Sequence, residues 1–198
     1  MIVFKNRRVD REQMILSCCD GKNVLHIGCL AADRKGELQK HIEGVAESAL
    51  GLDIEETDDE NVIQGDAQKF NLAKQFDVIV AGEVIEHLSN IEGFLDSCYR
   101  HLKKGGKLII STPNAFSPIF LKQAILGRVV PNDQHHVLLF DVTTLKNMLT
   151  NYSNNMFKGD IFYYEERQAT TLAYRMQLIM SWIKNGYSRG IIAELIKR

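Results

Sequence analysis

A chain of 198 residues with 24 Lys and Arg against 25 Asp and Glu, for a formal net charge of −1, is sized for a single domain with a full core. It has no basic stripe to hold a nucleic-acid backbone, which excludes nucleic acid as an evident partner. Four cysteines, Cys18, Cys19, Cys29 and Cys98, show neither zinc-ligand spacing nor a disulfide framework, and no apolar run approaches the ~20 residues that cross a bilayer.

The N-terminal MIVFKNRRVDREQ is a short apolar start followed by charge, without the apolar centre of a secretory leader, so a soluble cytoplasmic protein is expected. Arg11 to Cys19 sets Met14, Ile15 and Cys18 at helical spacing, predicting a short helix on the sheet edge that stops at Asp20-Gly21. Asn23 to Asp53 then reads as strand, turn, helix, strand. An apolar run Val24-Leu25-His26-Ile27 ends at Gly28, a helix-like segment passes through Leu38 and Ile42, and a second apolar run ends in Asp53. Such a unit places a turn, a helix N-terminus and a carboxylate together at the carboxyl edge of a parallel sheet. A nucleoside-containing cofactor fits there with its ribose hydroxyls on the acid.

Glu55 to Glu60 is too short for the usual crossover helix and reads as a solvated acidic turn rather than a metal site. Asn61 to Phe70 predicts a third strand ended by Gly65-Asp66, where the Asp66 side chain can cap the following turn. Phe76 to Val80 is a nearly continuous apolar strand, as at the centre of a parallel sheet. After Ala81-Gly82, Glu83, Glu86 and His87 fall at i, i+3 and i+4 on one side of a helical turn. They could position or deprotonate a nucleophile, or simply anchor the turn; no third ligand at regular spacing supports a metal. Ile91 to Lys103 predicts an amphipathic helix closed by Lys103-Lys104-Gly105-Gly106, and Lys107 to Thr112 a fifth strand stopped by Pro113.

Ala115 to Phe140 is an apolar insertion over the carboxyl edge, and it contains His135 and His136. Asp141 should cap a helix from Val142 to Leu149, Met156 to Tyr164 should form a sixth strand, and Gly190 to Ile196 a last strand. Between them, Thr170 to Lys184 carries Leu172, Met176, Ile179, Met180 and Ile183 on one helical face, read as core-facing or as a contact for a lipid-linked acceptor or second subunit.

The pieces VLHIGCLAA, FDVIVAGEVIEHL and GGKLIISTPN, in order over Val24 to Leu149, resemble class I S-adenosylmethionine-dependent methyltransferases, in particular the ubiquinone-biosynthesis-like and glycan-cluster members. In that family the first strand usually reads V-L-D-I-G-C-G-x-G; here His26 stands for the acid, and Leu30 and Ala32 for glycines. The resemblance implies an α/β fold: a three-layer, doubly wound Rossmann-like sandwich with a seven-stranded, mostly parallel sheet and an antiparallel last strand. Residues 1–198 would form a single domain with a substrate-side insertion at about 114–140 and a helical insertion at about 170–185. It further implies S-adenosyl-L-methionine as cofactor, held by His26, Gly28, Cys29, Asp53, Ile54, Asp66, Ala67, Ala81, Gly82 and Glu83, with Asp66 and Ala67 at the adenine. His136, which better fits an H-V-x-x-F spacing to Phe140, or His135 would take a hydroxyl proton. The implied reaction is O-methylation of a small molecule or a glycan precursor, without a metal. A cofactor-free binding or regulatory module is the alternative suggested by His26, Leu30 and Ala32. A nicotinamide enzyme is disfavoured because G-x-G-x-x-G is absent after the first strand.

Overall fold

Alternation of apolar side chains on two adjacent strands, β2 (Asn23–Ile27) and β5 (Phe76–Gly82), sets the architecture. In the computed structural model, which describes residues 1–30, 37–127, 135–165 and 184–198, these strands lie side by side and parallel, Val24 opposite Val78 and Ile27 opposite Ala81. Successive side chains of a strand point to opposite faces. Val24, Val78 and Val80 therefore enter one apolar cluster, while Leu25, Ile27, Ile79 and Ala81 enter another. Ile109 joins the first and Leu108 and Ile110 the second, from β6 (Leu102–Pro113). A sheet buried on both faces needs helices on both, which gives three layers.

The first face is covered by α1 (Arg11–Cys19) and α2 (Glu37–Val45) through Ile15, Cys19 and Ile42. The second is covered by α3 (Ile91–His101) and α5 (Val142–Tyr152) through Phe94, Leu95, Cys98, Leu145 and Leu149. Helix α1 thus lies over the middle of the sheet rather than at its edge, because Ile15 and Cys19 find Val78, Val80 and Ile109 there. The capping reading of Asp141 holds: its Oδ1 accepts from the backbone N–H groups of Thr143 (2.6 Å) and Thr144 (3.2 Å).

The sheet has eight strands, one more than the sequence predicts, in the order β1 (Ile2–Asp10), β7 (Phe157–Glu165), β8 (Gly190–Lys197), β6, β5, β2, β3 (Ser48–Asp53) and β4 (Val62–Gln64). The addition is β1, an edge strand parallel to β7. Its Lys5, Asn6 and Arg7 are exposed, and its register shifts between Phe4 and Arg8. Charge and irregularity of this kind guard a sheet edge, and they hide the strand's alternation from a sequence reading. The last strand, β8, is antiparallel to both neighbours, as expected. β4 shrinks to Val62–Gln64 beside β3, because the chain turns at Gly65-Asp66. β6 starts at Leu102 rather than Lys107, passing an irregularity where Gly105 takes φ 75°. No helix intervenes between β3 and β4.

Of the two insertions, the first contains α4 (Pro118–Ile125) and returns to the sheet through a bridge between Asn114 and Phe140. Residues 128–134, the second insertion over 170–183, and Ala32 lie outside the described residues. Among the described residues no helix is long and apolar enough to cross a membrane.

The β7–β8 pair gives a sharp packing test. A Cβ at Gly159 would lie 2.0 Å from the Glu194 carbonyl oxygen, which belongs to the facing backbone and has no rotamer by which to withdraw. Gly159→Ala should destabilise the protein by about 1–3 kcal/mol in urea unfolding, as overpacking does; an unchanged midpoint would mean that the strands separate freely.

Candidate active site

After β2 the chain builds outward through β3 and β4, then returns to the other side of β2 to make β5. At that reversal the connections leave in opposite directions and a crevice opens beyond the carboxyl ends of the strands. The cleft found here has a volume of about 1690 Å³, and its walls come from the ends of β2, β3 and β5, from α1 and α2, and from the segment after β6.

At one end stands Asp53, the last residue of β3, 9% exposed. Its Oδ2 accepts the Leu30 N–H at 2.8 Å and its Oδ1 the Glu55 N–H at 3.1 Å. Both are backbone contacts that fix the carboxylate while leaving lone pairs toward the cleft. Asp66, exposed, accepts the Gln68 N–H at 2.8 Å and so caps its turn. Gln68 Oε1 in turn accepts from the backbone of Ser89 and Asn90, tying this wall to the start of α3.

At the other end Arg11, buried to 7% exposure, stretches over the end of the sheet. Its Nε donates to Ser111 Oγ at 2.9 Å, and its guanidinium lies 5.7 Å from the centre of the Tyr164 ring. A Cβ at Gly82 would meet Arg11 Nη2 at 2.4 Å. Glycine at this position thus makes room for a guanidinium, where the sequence suggested room for a ligand. Next to it Glu83 adopts φ 58° and receives the Tyr164 hydroxyl at 2.7 Å. Because of that left-handed residue, the helical turn is a short 3-10 turn over Ile85–His87, and Glu83 does not share its face. The predicted i, i+3, i+4 cluster is split, with Glu83 turned to Tyr164 and Glu86 and His87 turned elsewhere.

Glu86 is 1% exposed, and among the described residues neither carboxylate oxygen has a hydrogen bond of good geometry, although the Thr112 side chain lies close enough to act on it. Burial, and then the nearby Glu83 charge, push its carboxyl well above the ordinary value of 4.5. His87 donates Nδ1–H to the His135 carbonyl at 3.1 Å, which leaves Nε2 with its lone pair. The Glu86 carbonyl accepts from the N–H groups of Val137 (2.9 Å) and Leu138 (3.1 Å), fastening the far end of the insertion to this turn. That fastening sets the His136 ring edge-on to His87, centroids 4.6 Å apart. Glu86, His87 and His136 offer ligand atoms all within 4.8 Å of one another, so the third metal-capable group that spacing could not supply arrives from 49 residues downstream of His87.

Of the residues singled out from sequence, His26, Gly28, Cys29, Asp53, Ile54, Asp66, Ala67, Gly82, Glu83 and His136 line the cleft. Ala81 is in the core beneath it and His135 is exposed outside its lining; His135 contributes its carbonyl rather than its ring. Gly28, at φ 73°, leaves room not for a ligand but for Val84, whose Cγ2 would stand 2.5 Å from an added Cβ. Cys29 packs its sulfur over Gly51, and burial pushes its thiol up to about 12, so the sulfur is not a nucleophilic thiolate. Arg11 was missed: its signal in the sequence is a helix-opening arginine, which looks like any solvated charge. The contact of His136 with Glu86 and His87 was equally illegible, since it depends on backbone bonds across the insertion.

A family profile described as "Methyltransferase domain" matches residues 7–153. A protein of Mycolicibacterium smegmatis named probable S-adenosylmethionine-dependent methyltransferase is 32% identical over 149 residues, covering 69% of this chain and 53% of that protein. The ubiquinone biosynthesis O-methyltransferase of Nitrobacter winogradskyi is 31% identical over 117 residues, 54% of this chain and 45% of its own length. The chain thus spans about half the length of these curated relatives. Among solved structures, the N-methyltransferase NodS of Bradyrhizobium japonicum with S-adenosyl-L-homocysteine aligns with TM-score 0.59 at 15% identity, over 94% of this chain and 85% of that one. A SAM-dependent methyltransferase of Archaeoglobus fulgidus aligns with TM-score 0.60 at 21% identity, over 95% and 91%. At these identities the structures bear out the fold.

The burial of Glu86 has a pH signature. The folded state keeps a proton on Glu86 that the unfolded chain releases above about 4.5, so raising pH above that value favours unfolding. In chelator-containing buffer, wild-type stability should therefore fall progressively relative to Glu86→Gln as pH rises from 4.5 towards neutrality, read from urea midpoints. A constant difference across that range would show that the carboxyl is ionised in the fold.

Proposed function

The chain belongs to the methyltransferase-domain family, and on that premise we propose that it transfers a methyl group from S-adenosyl-L-methionine to a hydroxyl of a small molecule or glycan precursor. What carries this reading is the pairing of charges in the cleft: a held carboxylate, Asp53, at one end and a buried guanidinium, Arg11, at the other. A nucleoside joined to an amino acid presents the complementary groups in that order, ribose hydroxyls for Asp53 and a carboxylate for Arg11. Ala67 and Asp66 stand where adenine would lie. The sulfonium brings the activated methyl group, and the chain's own residues supply position, shielding and proton handling. His136 takes the proton of the acceptor hydroxyl, oriented by His87, while Glu86, holding its proton, adds no negative charge beside it. O-methylation is favoured by this base, and by partial likeness to the ubiquinone biosynthesis O-methyltransferases.

A second reading of the same cluster follows from the buried Glu86 carboxyl, whose oxygens have no hydrogen bond of good geometry among the described residues: a divalent cation held by Glu86, His87 and His136, against which an acceptor oxygen would bind.

Titration calorimetry should show S-adenosylmethionine binding to the wild type, and Asp53→Ala or Arg11→Leu should weaken it roughly tenfold or more, the worth of a charge-assisted hydrogen bond. A wild-type protein that binds neither it nor S-adenosylhomocysteine is the cofactor-free module. His136→Ala should keep S-adenosylhomocysteine affinity yet lower labelled-methyl transfer by on the order of 10²–10⁴, the usual range for losing a general base. The acceptor for that assay is whichever hydroxyl the wild type methylates in a panel of catechols, phenols and sugars. Chelator-stripped protein titrated with Zn²⁺ or Mn²⁺ separates the second reading: uptake abolished by Glu86→Gln supports the cation, and no uptake leaves the histidine as base.

A further inference from the structure

Resting on that cofactor reading, we propose that a relay from Glu43 through Gln39 fixes His26 as a neutral hydrogen-bond acceptor for the ammonium group at the amino-acid end of the cofactor, with Gln39 as the positioning residue. Gln39, 5% exposed on the inner side of α2, donates its amide Nε2 to Glu43 Oε1 at 2.8 Å. A carboxylate only accepts, so the direction of that bond is fixed, and the amide oxygen is left for His26. That oxygen lies 2.9 Å from His26 Nδ1. Nδ1 must therefore carry the proton, and Nε2 must carry the lone pair. The tautomer is set two hydrogen bonds away, at an exposed glutamate.

His26 itself is 3% exposed in the fourth position of β2, and it lines the cleft. Nε2 has no hydrogen-bond partner among the described residues, whereas Nδ1 does. Burial first, with the Arg11 charge adding to it, holds the ring's pKa down to about 4 against the opposing pull of the Gln39 bond, so the imidazole stays neutral in the working range. That lone pair can accept from a donor that enters the cleft. Arg11, close enough to act on His26, is the group assigned to the cofactor's carboxylate. In an α-amino acid the ammonium sits on the carbon next to the carboxylate, so a ligand whose carboxylate meets Arg11 brings its ammonium to His26. The proton stays on the ligand, because an amine of pKa ~8 outcompetes an imidazole held near 4. His26 is thus an acceptor without charge, and adds no third carboxylate to a cleft that already holds Asp53 and Glu83.

The test compares two ligands on two proteins by calorimetry: S-adenosylhomocysteine, and its analogue with hydrogen in place of the α-amino group. Wild type should bind the analogue about tenfold or more weakly, the fold-change expected when a charged donor is removed from a buried acceptor. In His26→Leu that penalty should collapse to about twofold or less, because the acceptor is gone and both ligands lose alike; a purely structural role would weaken both without changing their ratio. Gln39→Leu, which keeps the imidazole, should shrink the penalty part-way and serves if His26→Leu fails to fold. Nitrogen-15 spectra of the wild type should show Nδ1 protonated and Nε2 bare. A full penalty surviving in folded His26→Leu, or a protonated Nε2, overturns the proposal alone. Absence of any S-adenosylhomocysteine binding to wild type overturns the cofactor reading and this with it.

Discussion

The parallel pairing of β2 with β5 is the constraint on which the rest depends. With both faces of these strands apolar, helices must cover each side, and with β3 built to one side of β2 and β5 to the other, the covering helices diverge beyond the strand ends. The cleft is a consequence of this reversal and would exist with almost any side chains at its rim. Its chemistry comes from a few polar groups whose geometry the surrounding backbone has already fixed. Asp53 is held by two peptide N–H groups and His87 by a carbonyl.

Steric room is distributed in a way that separates scaffold from site. Gly28 and Gly82 look like glycines kept bare for a ligand, yet in the structure Val84 fills the space beside the first and Arg11 the space beside the second. The second substitution of roles matters more. By vacating a Cβ, the end of β5 admits a guanidinium into a buried position, where its attraction for an anion is less screened than at the surface. Leu30, which stands where relatives of this type carry glycine, does not detach the strand end from Asp53, because only its N–H makes that contact.

On the acceptor side, two backbone hydrogen bonds to the Glu86 carbonyl do the organising. They bring the segment after α4 onto the 3-10 turn, so that a histidine from one side of the sheet order and a carboxyl–histidine pair from another share a small volume. Beyond them Val137, Leu138 and Leu139, like Phe116 and Ile125, remain exposed. A buried, protonated Glu86 with no hydrogen bond of good geometry among the described residues costs stability, and costs of that kind concentrate where a protein does chemistry.

Hydrophobic periodicity and turn residues are local properties, and they were enough to place the central strands and to put Asp53, Asp66 and Glu83 at or just past strand ends, whereas the doubly wound class and the antiparallel last strand came from the resemblance of the strand motifs to a known family. Strand ends in a doubly wound sheet share one edge, so those residues had to fall near one another whatever the details. The sequence was silent on β1, whose exposed charges mask its alternation, and on Arg11 and the Glu43–Gln39–His26 relay, which join different elements through side chains. It also misread the Glu83, Glu86 and His87 turn, since a left-handed φ at Glu83 is not encoded by spacing. What the chain order fixes is which residues reach the edge; which of them touch is decided by long-range backbone bonds and buried contacts, and these exist only once the layers have packed.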